Sequence, residues 1–289
     1  MSLFSLQNWQ SYLLFSQLLV GLLGLIIGSF LNVVIYRLPR MLYQDWQMPY
    51  GKLNTDISQV SMNYNLAVPR SHCPNCNHQL SWWENIPLLS YILLKGQCSD
   101  CKKAISLRYP FVEFISMTLS VYLVWHYGVS LQLCGALIFS WILLTLTLID
   151  LNEKILPDIL TISLLWVGLI FNINGLFIDV KSAITGAITG YLFLWIIAVL
   201  FQKITGKEGL GLGDCKLLAA IGEWLGWQAL PFVILFASLM GSIIGISLIL
   251  LKKINRNTPI PFGPFLALAG WIGLVWGTQI IHASLIFLR

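Results

Sequence analysis

The chain has 289 residues, of which 57% are hydrophobic and only 10% are charged. This composition, with a mean hydropathy of +0.78, excludes an ordinary soluble protein, in which about a quarter of the residues are charged. The net charge of +5 is modest, so we expect no nucleic-acid partner, and the positions of the basic residues are more informative than their number. The composition predicts an all-α polytopic membrane protein embedded in the lipid bilayer.

The first predicted element is a transmembrane helix near residues 13–36. Residues 1–36 contain no Lys, Arg, Asp or Glu, and this run is longer than the roughly 20 residues that cross a bilayer. A cleaved signal peptide would begin with basic residues and have a shorter apolar region, so we expect the helix to be retained. Gly24 and Gly28 would let a neighbouring helix approach closely.

Residues 37–108 interrupt the apolar pattern and predict a water-exposed domain. They contain eight Lys or Arg residues, four Asp or Glu residues and four of the six cysteines. We therefore divide the chain into a first transmembrane helix, 1–36, a cytoplasmic domain, 37–108, and a larger transmembrane domain, 109–289.

The four cysteines of the cytoplasmic domain form two CxxC pairs separated by 21 residues. The pairs are Cys73 with Cys76 and Cys98 with Cys101. This spacing is typical of a tetrahedral zinc site, to which each pair offers two thiolates from one tight turn. Two disulfides are the alternative, which the reducing cytosol disfavours, and His72 or His78 would be needed only if a cysteine were missing. A closed shell of four thiolates leaves no position for water, so the predicted zinc is structural.

Seven further spans are predicted after this domain, which makes eight in total. They lie near residues 110–127, 131–150, 159–178, 182–202, 217–225, 228–251 and 262–282. The span at 217–225 is short, and Pro110 suits the first turn of the helix that it begins.

The distribution of basic residues supports this count. With eight spans, 15 of the 17 Lys and Arg residues fall on one side of the membrane, and only Lys181 and Arg289 fall on the other. Because Lys and Arg concentrate in cytoplasmic loops, we expect both termini to be periplasmic. The 37–108 domain and the loops at 151–158 and 203–216 are then cytoplasmic.

Two carboxylates are the candidate catalytic residues. Asp150 ends the third predicted span, and Asp214 follows a glycine-rich loop at the start of the sixth. The topology brings both to the cytoplasmic face, and acidic residues in spans are usually functional. Two carboxylates that share a site cannot both ionise easily. One then activates water while the other, protonated, polarises a scissile carbonyl, which is the chemistry of an aspartic protease.

Both aspartates also have structural interpretations. Asp150 could cap the end of its helix or form an ion pair with Lys154, one helical turn away. Asp214 could interact favourably with the dipole of the helix that it begins. Phosphate binding by the glycine-rich loop is disfavoured because no strand precedes it.

Other polar residues are assigned structural roles or none. Asp158 is predicted to be a helix N-cap, Glu113 to lie in a first helical turn, and Cys134 to be a small core residue. Cys215 follows Asp214 directly, but no histidine is placed to activate it as a nucleophile. Glu223 receives no role.

Taken together, six stretches resemble the type IV prepilin peptidase family, also called the prepilin leader peptidase/N-methyltransferase family. They are GSFLNVVIYRLPR at 28–40, CPNC at 73–76, CSDCKKAISLRYPFVE at 98–113, LIDLNEKILPD at 148–158, GLGLGDCKL at 209–217 and PFGPFL at 261–266. Each stretch alone is unspecific, but they span most of the chain in the order expected of the family.

The resemblance implies GxGD-type aspartic proteolysis by Asp150 and Asp214 in the bacterial inner membrane. It implies cleavage, on the cytoplasmic side, of the basic leader of type IV prepilin and pseudopilin precursors. Many members of the family then methylate the new N-terminal amine with S-adenosylmethionine, and the four-cysteine form is similar to these bifunctional members. The sequence gives no independent sign of a methyl-donor site, because it has no Rossmann-like βαβ pattern.

Two other classes of protein remain as alternatives. A proton-coupled secondary transporter with a zinc-stabilised domain would also contain acidic residues in its spans, but inverted repeats are not visible. A membrane scaffold that uses the zinc domain for docking would need neither aspartate.

Overall fold

The computed structural model describes residues 3–47, 64–206, 209–253, 255 and 259–287. Within these ranges the chain is helical, with nine α-helices, two short 3₁₀ turns and no strand longer than an isolated bridge. Four of the basic residues in the charge count lie outside the described residues: Lys52, Lys207, Arg256 and Arg289. The chain divides into two compact units, Met1–Val129 and Ser130–Arg289.

Unit 1 is built on the packing of two long helices, α1 (Leu3–Gln47) and α3 (Arg108–Tyr127). A Cβ at Gly28 would lie 2.8 Å from Glu113 Cα, and one at Gly24 would lie 3.0 Å from Met117 Cα. The predicted close approach at these two glycines is therefore confirmed. Ser116 Oγ donates a 2.6 Å hydrogen bond to Gly24 O in the same buried contact.

The part of unit 1 between these helices consists of turns around the cysteines, a 3₁₀ turn (Trp82–Asn85) and the short helix α2 (Leu89–Leu93). Arg37, which is buried on α1, holds the start of this part. Its guanidinium donates to Asn65 O at 2.9 Å and to Pro69 O at 2.7 Å. Glu113 accepts the Leu88 N–H at 2.9 Å, so each long helix has a polar contact with the inserted region.

Unit 2 contains the remaining six helices. They are α4 (Leu131–Glu153), α5 (Asp158–Asn172), α6 (Val180–Thr205), α7 (Leu212–Leu225), α8 (Leu230–Leu250) and α9 (Gly263–Phe287). Helix α7 is the centre of the unit, because every residue from Leu217 to Trp224 is buried, and α5, α6 and α9 pack against it. A helix in such a core is expected to be largely apolar, and α7 is apolar except for Asp214, Lys216 and Glu223.

Glycine allows the closest of these contacts, between α6 and α7. A Cβ at Gly190 would lie 2.7 Å from Leu218 O, and a Cβ at Gly186 would overlap the carbonyl oxygen of Gly222. Backbone oxygens cannot move aside, so these positions accept only glycine if the helices are to touch.

Four described helical segments are long and apolar enough to cross a membrane: Leu13–Trp46, Leu131–Glu153, Val180–Thr205 and Trp227–Leu250. Helices α5 and α9 are apolar but have shorter described stretches, Asp158–Asn172 and Gly263–Gly277. Each predicted span corresponds to a helix. The eight crossings that the sequence predicts remain a prediction.

The assignment of two acidic residues was wrong. Pro157, not Asp158, is the N-cap of α5, and Asp158 is the first helical residue, where its carboxylate pairs with Lys216 at 2.7 Å. Helix α3 begins at Arg108, before Pro110, so Glu113 lies beyond the first turn and contacts Leu88 instead.

Candidate functional site: a cysteine cluster and an aspartate pair

The two CxxC turns of unit 1 have the same local structure. In the first, the Cys73 N–H donates to His78 O at 2.9 Å and the Asn77 N–H donates to Cys73 O at 3.0 Å. In the second, the Cys98 N–H donates to Lys103 O at 2.9 Å and the Lys102 N–H donates to Cys98 O at 3.2 Å. Each turn thus presents its two sulfurs from a tight, hydrogen-bonded loop.

The residues that flank the two CxxC turns are also arranged alike. One antiparallel bridge joins His72 to Gln79, and another joins Gln97 to Ala104. Asn77 and Lys102, four residues after the first cysteine of their turns, both have a φ of 57°. The two turns are therefore equivalent knuckles that face one another.

The four cysteine sulfurs have the spacing of one metal site, since all lie within 4.8 Å of one another. The Sγ atoms of Cys73 and Cys101 are 3.8 Å apart, and those of Cys76 and Cys98 are 3.9 Å apart. Sulfurs about 2.3 Å from a central zinc would be about 3.8 Å apart in a tetrahedron. The donor set and its geometry therefore fit zinc.

Hydrogen bonds and the contacts among the four cysteines shift the pKa values of the thiols in opposite directions. A backbone hydrogen bond at Lys103 lowers the pKa of Cys101 to about 6. At Cys76 a backbone hydrogen bond at His78 favours the thiolate, but burial and the neighbouring cysteines raise the pKa to about 12. If all four cysteines were thiolates at this spacing, a cation between them would be required to offset their repulsion.

Neither neighbouring histidine belongs to this cluster. The ring of His72 contacts Arg70 O at 3.0 Å, and the ring of His78 contacts Glu84 Oε2 at 3.4 Å. Among the described residues, Cys134 and Cys215 also lie outside it.

In unit 2, Asp150 lies near the end of α4 and is 5% exposed. Its Oδ2 accepts a buried hydrogen bond from the Gly263 N–H at 3.0 Å. A Cβ at position 263 would lie 2.6 Å from the same oxygen, so a side chain there would displace the carboxylate. No ion pair joins Asp150 to Lys154 among the described side chains. Lys154 instead ends α4 in a left-handed conformation, and its N–H donates to Asp150 O.

Asp214 lies in the first turn of α7, as predicted, and is 9% exposed. Its N–H donates to Gly211 O at 3.1 Å, which closes the glycine-rich loop onto the helix. Its Oδ1 is buried and has no hydrogen-bond donor among the described residues. An unpartnered buried oxygen is costly, so this atom is available to a ligand such as water.

The two aspartates approach each other through shared neighbours. Helices α4 and α7 both pack on α9, and the glycines that adjoin the two carboxylates, Gly213 and Gly263, both lie against Leu156. Leu156, from the loop between α4 and α5, contacts both glycines beside the pair. A Cβ at Gly213 would lie 2.9 Å from Leu156 Cβ, and a Cβ at Gly263 would lie 3.1 Å from its Cδ2.

Sequence reasoning did not identify Gly263, Leu156 or Lys216 as parts of this site. The stretch that contains Gly263 was recognised only as part of a resemblance, because the contact of Gly263 with Asp150, 113 positions away, is not visible in the sequence. The Lys216 pair with Asp158 joins the start of α5 to α7, two residues from Asp214.

Comparison with known proteins gives one consistent result. A model described as the bacterial peptidase A24 N-terminal domain matches residues 22–127, and a model of the type IV leader peptidase family matches residues 137–246. A prepilin leader peptidase/N-methyltransferase of Stutzerimonas stutzeri is 49% identical over 92% of this chain and 93% of its own length. Proteins with the same description are 49% identical in Pseudomonas aeruginosa, over 92% of both chains, and 52% identical in Aeromonas salmonicida, over 91% of both chains. No solved structure matches the chain significantly.

Proposed function

This chain belongs to the type IV leader peptidase family, and on that premise we propose that it cleaves the leader peptides of type IV prepilins and pseudopilins. Cleavage occurs on the cytoplasmic side of the bacterial inner membrane. The same protein then methylates the new N-terminal amine. Its products serve type IV pili or type II secretion.

Asp150 and Asp214 are the catalytic pair in this proposal. One carboxylate accepts a proton from a water molecule, and the other, protonated, donates a hydrogen bond to the scissile carbonyl. The Gly263 N–H holds Asp150 in one orientation. The free Oδ1 of Asp214 supplies the polar contact that a water or a carbonyl oxygen requires. This unpartnered oxygen beside a second buried carboxylate is the observation that supports the proposal most.

Zinc, held by Cys73, Cys76, Cys98 and Cys101, has a structural role. Four thiolates fill a tetrahedral shell and leave no coordination position for water. S-adenosylmethionine, when bound, supplies the methyl group for the amine. The two aspartates are assigned to proton transfer during peptide cleavage, so we infer that the methyl donor binds at a second site.

For the membrane arrangement we propose eight crossings with both termini in the periplasm. Residues 1–36 are the first transmembrane helix, 37–108 the zinc-binding cytoplasmic domain and 109–289 the transmembrane peptidase domain. The segregation of 15 of 17 basic residues to one side supports this topology. It puts the cysteine cluster and the aspartate pair on the cytoplasmic side.

A cleavage assay with purified protein and a prepilin tests the peptidase. We expect Asp150→Asn and Asp214→Asn each to abolish cleavage, because either change removes one half of the acid–base pair. The matched control is Asp179→Asn. Asp179 caps α6 through the Ser182 N–H at 2.9 Å, and asparagine caps a helix as well as aspartate does.

The assay can contradict the proposal in a clear way. Substantial cleavage by either Asp150→Asn or Asp214→Asn would remove that residue from the mechanism. Mass spectrometry of the processed pilin tests the second activity. An N-terminus without the added mass of one methyl group would mean that the chain is a peptidase only.

A further inference from the structure

In unit 1, one edge of the Arg108 guanidinium is buried and has no hydrogen-bond acceptor among the described residues. Arg108 is the first residue of α3, and its backbone N–H donates to Ser106 Oγ at 3.3 Å. Its Nε and Nη2 atoms are shielded from solvent and have no hydrogen-bond acceptor among the described residues. Burying charged donors without an acceptor is strongly unfavourable, so an acceptor that the described residues do not supply is expected there.

The two unpartnered atoms define the chemistry of that acceptor. The Nε–H group and one Nη2–H group of a guanidinium point in the same direction, as a pair of parallel donors. This edge matches the two oxygens of a carboxylate or a phosphate, which accept two hydrogen bonds side by side. Lysine, as a point charge, would not provide the same match.

A second unpartnered atom lies on the neighbouring helix. Asn32 on α1 is 3% exposed, and its Nδ2 donates to Tyr109 O, the residue after Arg108, at 3.1 Å. Its Oδ1 is buried and accepts no hydrogen bond from the described residues. The two neighbouring helices α1 and α3 therefore carry an unpartnered acceptor for a cationic N–H group, on Asn32, and an unpartnered two-donor edge for an anion, on Arg108.

We propose that Arg108 binds the carboxylate of S-adenosylmethionine and that Asn32 Oδ1 accepts a hydrogen bond from its α-ammonium group. The amino acid end of this methyl donor carries both charges, which is the combination that the two side chains lack. The proposal rests on the methyltransferase activity proposed above. It assigns the donor to unit 1, whereas the aspartate pair belongs to unit 2.

Hydrogen bonds connect the second CxxC turn to the segment that leads into Arg108. Ala104 pairs with Gln97 in the antiparallel bridge beside the second CxxC turn, and the Ile105 N–H donates to Gly96 O at 2.7 Å. Only two residues then separate Ile105 from Arg108. The metal thus fixes the chain that leads into the arginine, which gives a structural zinc a role in donor binding.

Equilibrium binding of two ligands tests the proposal without relying on activity. The ligands are S-adenosylmethionine and its decarboxylated form, which differs only in lacking the carboxylate. The wild-type protein should bind the complete donor more tightly. Arg108→Met, and to a smaller extent Arg108→Lys, should weaken that binding by about tenfold to a hundredfold, the usual range for hydrogen bonds to a charged group. Both variants should bind the decarboxylated form as the wild type does.

Arg40→Met is the matched control, because its guanidinium lies 3.6 Å from the centre of the Tyr36 ring and is already engaged. It should leave both affinities unchanged. Zinc content and prepilin cleavage are measured on every variant, and Arg108→Lys preserves the positive charge if Arg108→Met does not fold.

Three outcomes would overturn the assignment. An unchanged preference for the carboxylate in both Arg108 variants would separate Arg108 from the donor. Loss of zinc and cleavage in Arg108→Lys would show a structural role. An acidic lipid that co-purifies only with the wild type, with donor binding unaffected, would make the anion a headgroup phosphate. A wild-type protein that binds no donor and methylates no pilin would instead refute the proposed methyltransferase.

Discussion

The cysteine cluster and the aspartate pair are assembled in different ways. Each cysteine knuckle closes on itself within a few residues, through paired hydrogen bonds such as Cys98 N–H to Lys103 O. Asp150 and Asp214 come from two helices, and 113 positions separate Asp150 from its hydrogen-bond donor Gly263. The cysteine cluster is formed by two local turns, whereas the aspartate pair depends on contacts between segments that are far apart in the chain.

Different interactions stabilise the cysteine cluster and the aspartate pair. The described part of the region between the two long helices of unit 1 buries few large side chains. Metal binding by the four cysteines, as proposed above, would supply the stability that a hydrophobic core supplies in unit 2. In unit 2, the buried helix α7 and its close contact with α6 hold Asp214 in position. Damage to one site should therefore leave the other largely intact, and the following variants test this independence.

Gly186→Ala should have the largest effect, confined to unit 2. The added methyl group would overlap the Gly222 carbonyl oxygen, so α6 and α7 would have to separate, at a cost of about 3 kcal/mol or more. We expect cleavage to be lost and the thermal midpoint in detergent to fall, with zinc content unchanged. Gly277→Ala is the control, because a Cβ there meets nothing within 4 Å. Wild-type cleavage by Gly186→Ala would refute the close packing.

The double variant Cys73→Ser with Cys76→Ser should damage unit 1 and leave the packing of unit 2 largely unchanged. Zinc should fall from one per chain to none, because half of the ligands are gone. The free energy of zinc binding is part of the folding energy of such a module, so hydrogen exchange should rise first in residues 70–105. Cleavage should fall less than in the aspartate variants. Cys134→Ser, which changes a cysteine outside the cluster, is the control, and unchanged zinc in the double variant would exclude this site.

Gly263→Ala should have an intermediate effect and act at the aspartate pair and the adjoining Leu156. The methyl group would lie 2.6 Å from Asp150 Oδ2 and would push the carboxylate aside. A displacement of this size can reduce kcat by about a hundredfold, with little change in KM or in thermal midpoint. Gly277→Ala, on the same helix, again serves as the control. A loss of kcat that merely follows a loss of stability would argue against positioning of Asp150 by Gly263.

These contrasts also explain what the sequence could predict. The knuckles are local, and their ligand types and spacing are visible in the sequence, so the cysteine cluster could be recognised residue by residue. The helices were predictable for a similar reason, since long apolar runs are helical in a membrane. The closeness of Asp150 and Asp214 could be inferred only through a topology built from charge distribution.

The rest depended on tertiary contacts that have no sequence signature. Gly263 acts through a backbone N–H, which every residue except proline has. Asp158 was predicted as an N-cap from local preference alone, and its partner Lys216 lies 58 residues away. The sequence does not distinguish Arg108 from the other basic residues, because its burial and its lack of an acceptor among the described residues are visible only in the structure.

The smallest effect is expected from the ion pair that joins α5 to α7. Lys216 Nζ lies 2.7 Å from both carboxylate oxygens of Asp158, but the two side chains are 31% and 59% exposed. Exposed pairs contribute about 1 kcal/mol at most, and salt weakens them. A double-mutant cycle with Asp158→Asn, Lys216→Met and the combined variant should therefore give a small, salt-sensitive coupling in thermal stability, and cleavage should fall less than about fivefold. Because Lys216 is close to Asp214 in the chain, the opposite result would be informative. A loss of kcat as large as that of Gly263→Ala, insensitive to salt, would make the pair part of the structure that positions Asp214.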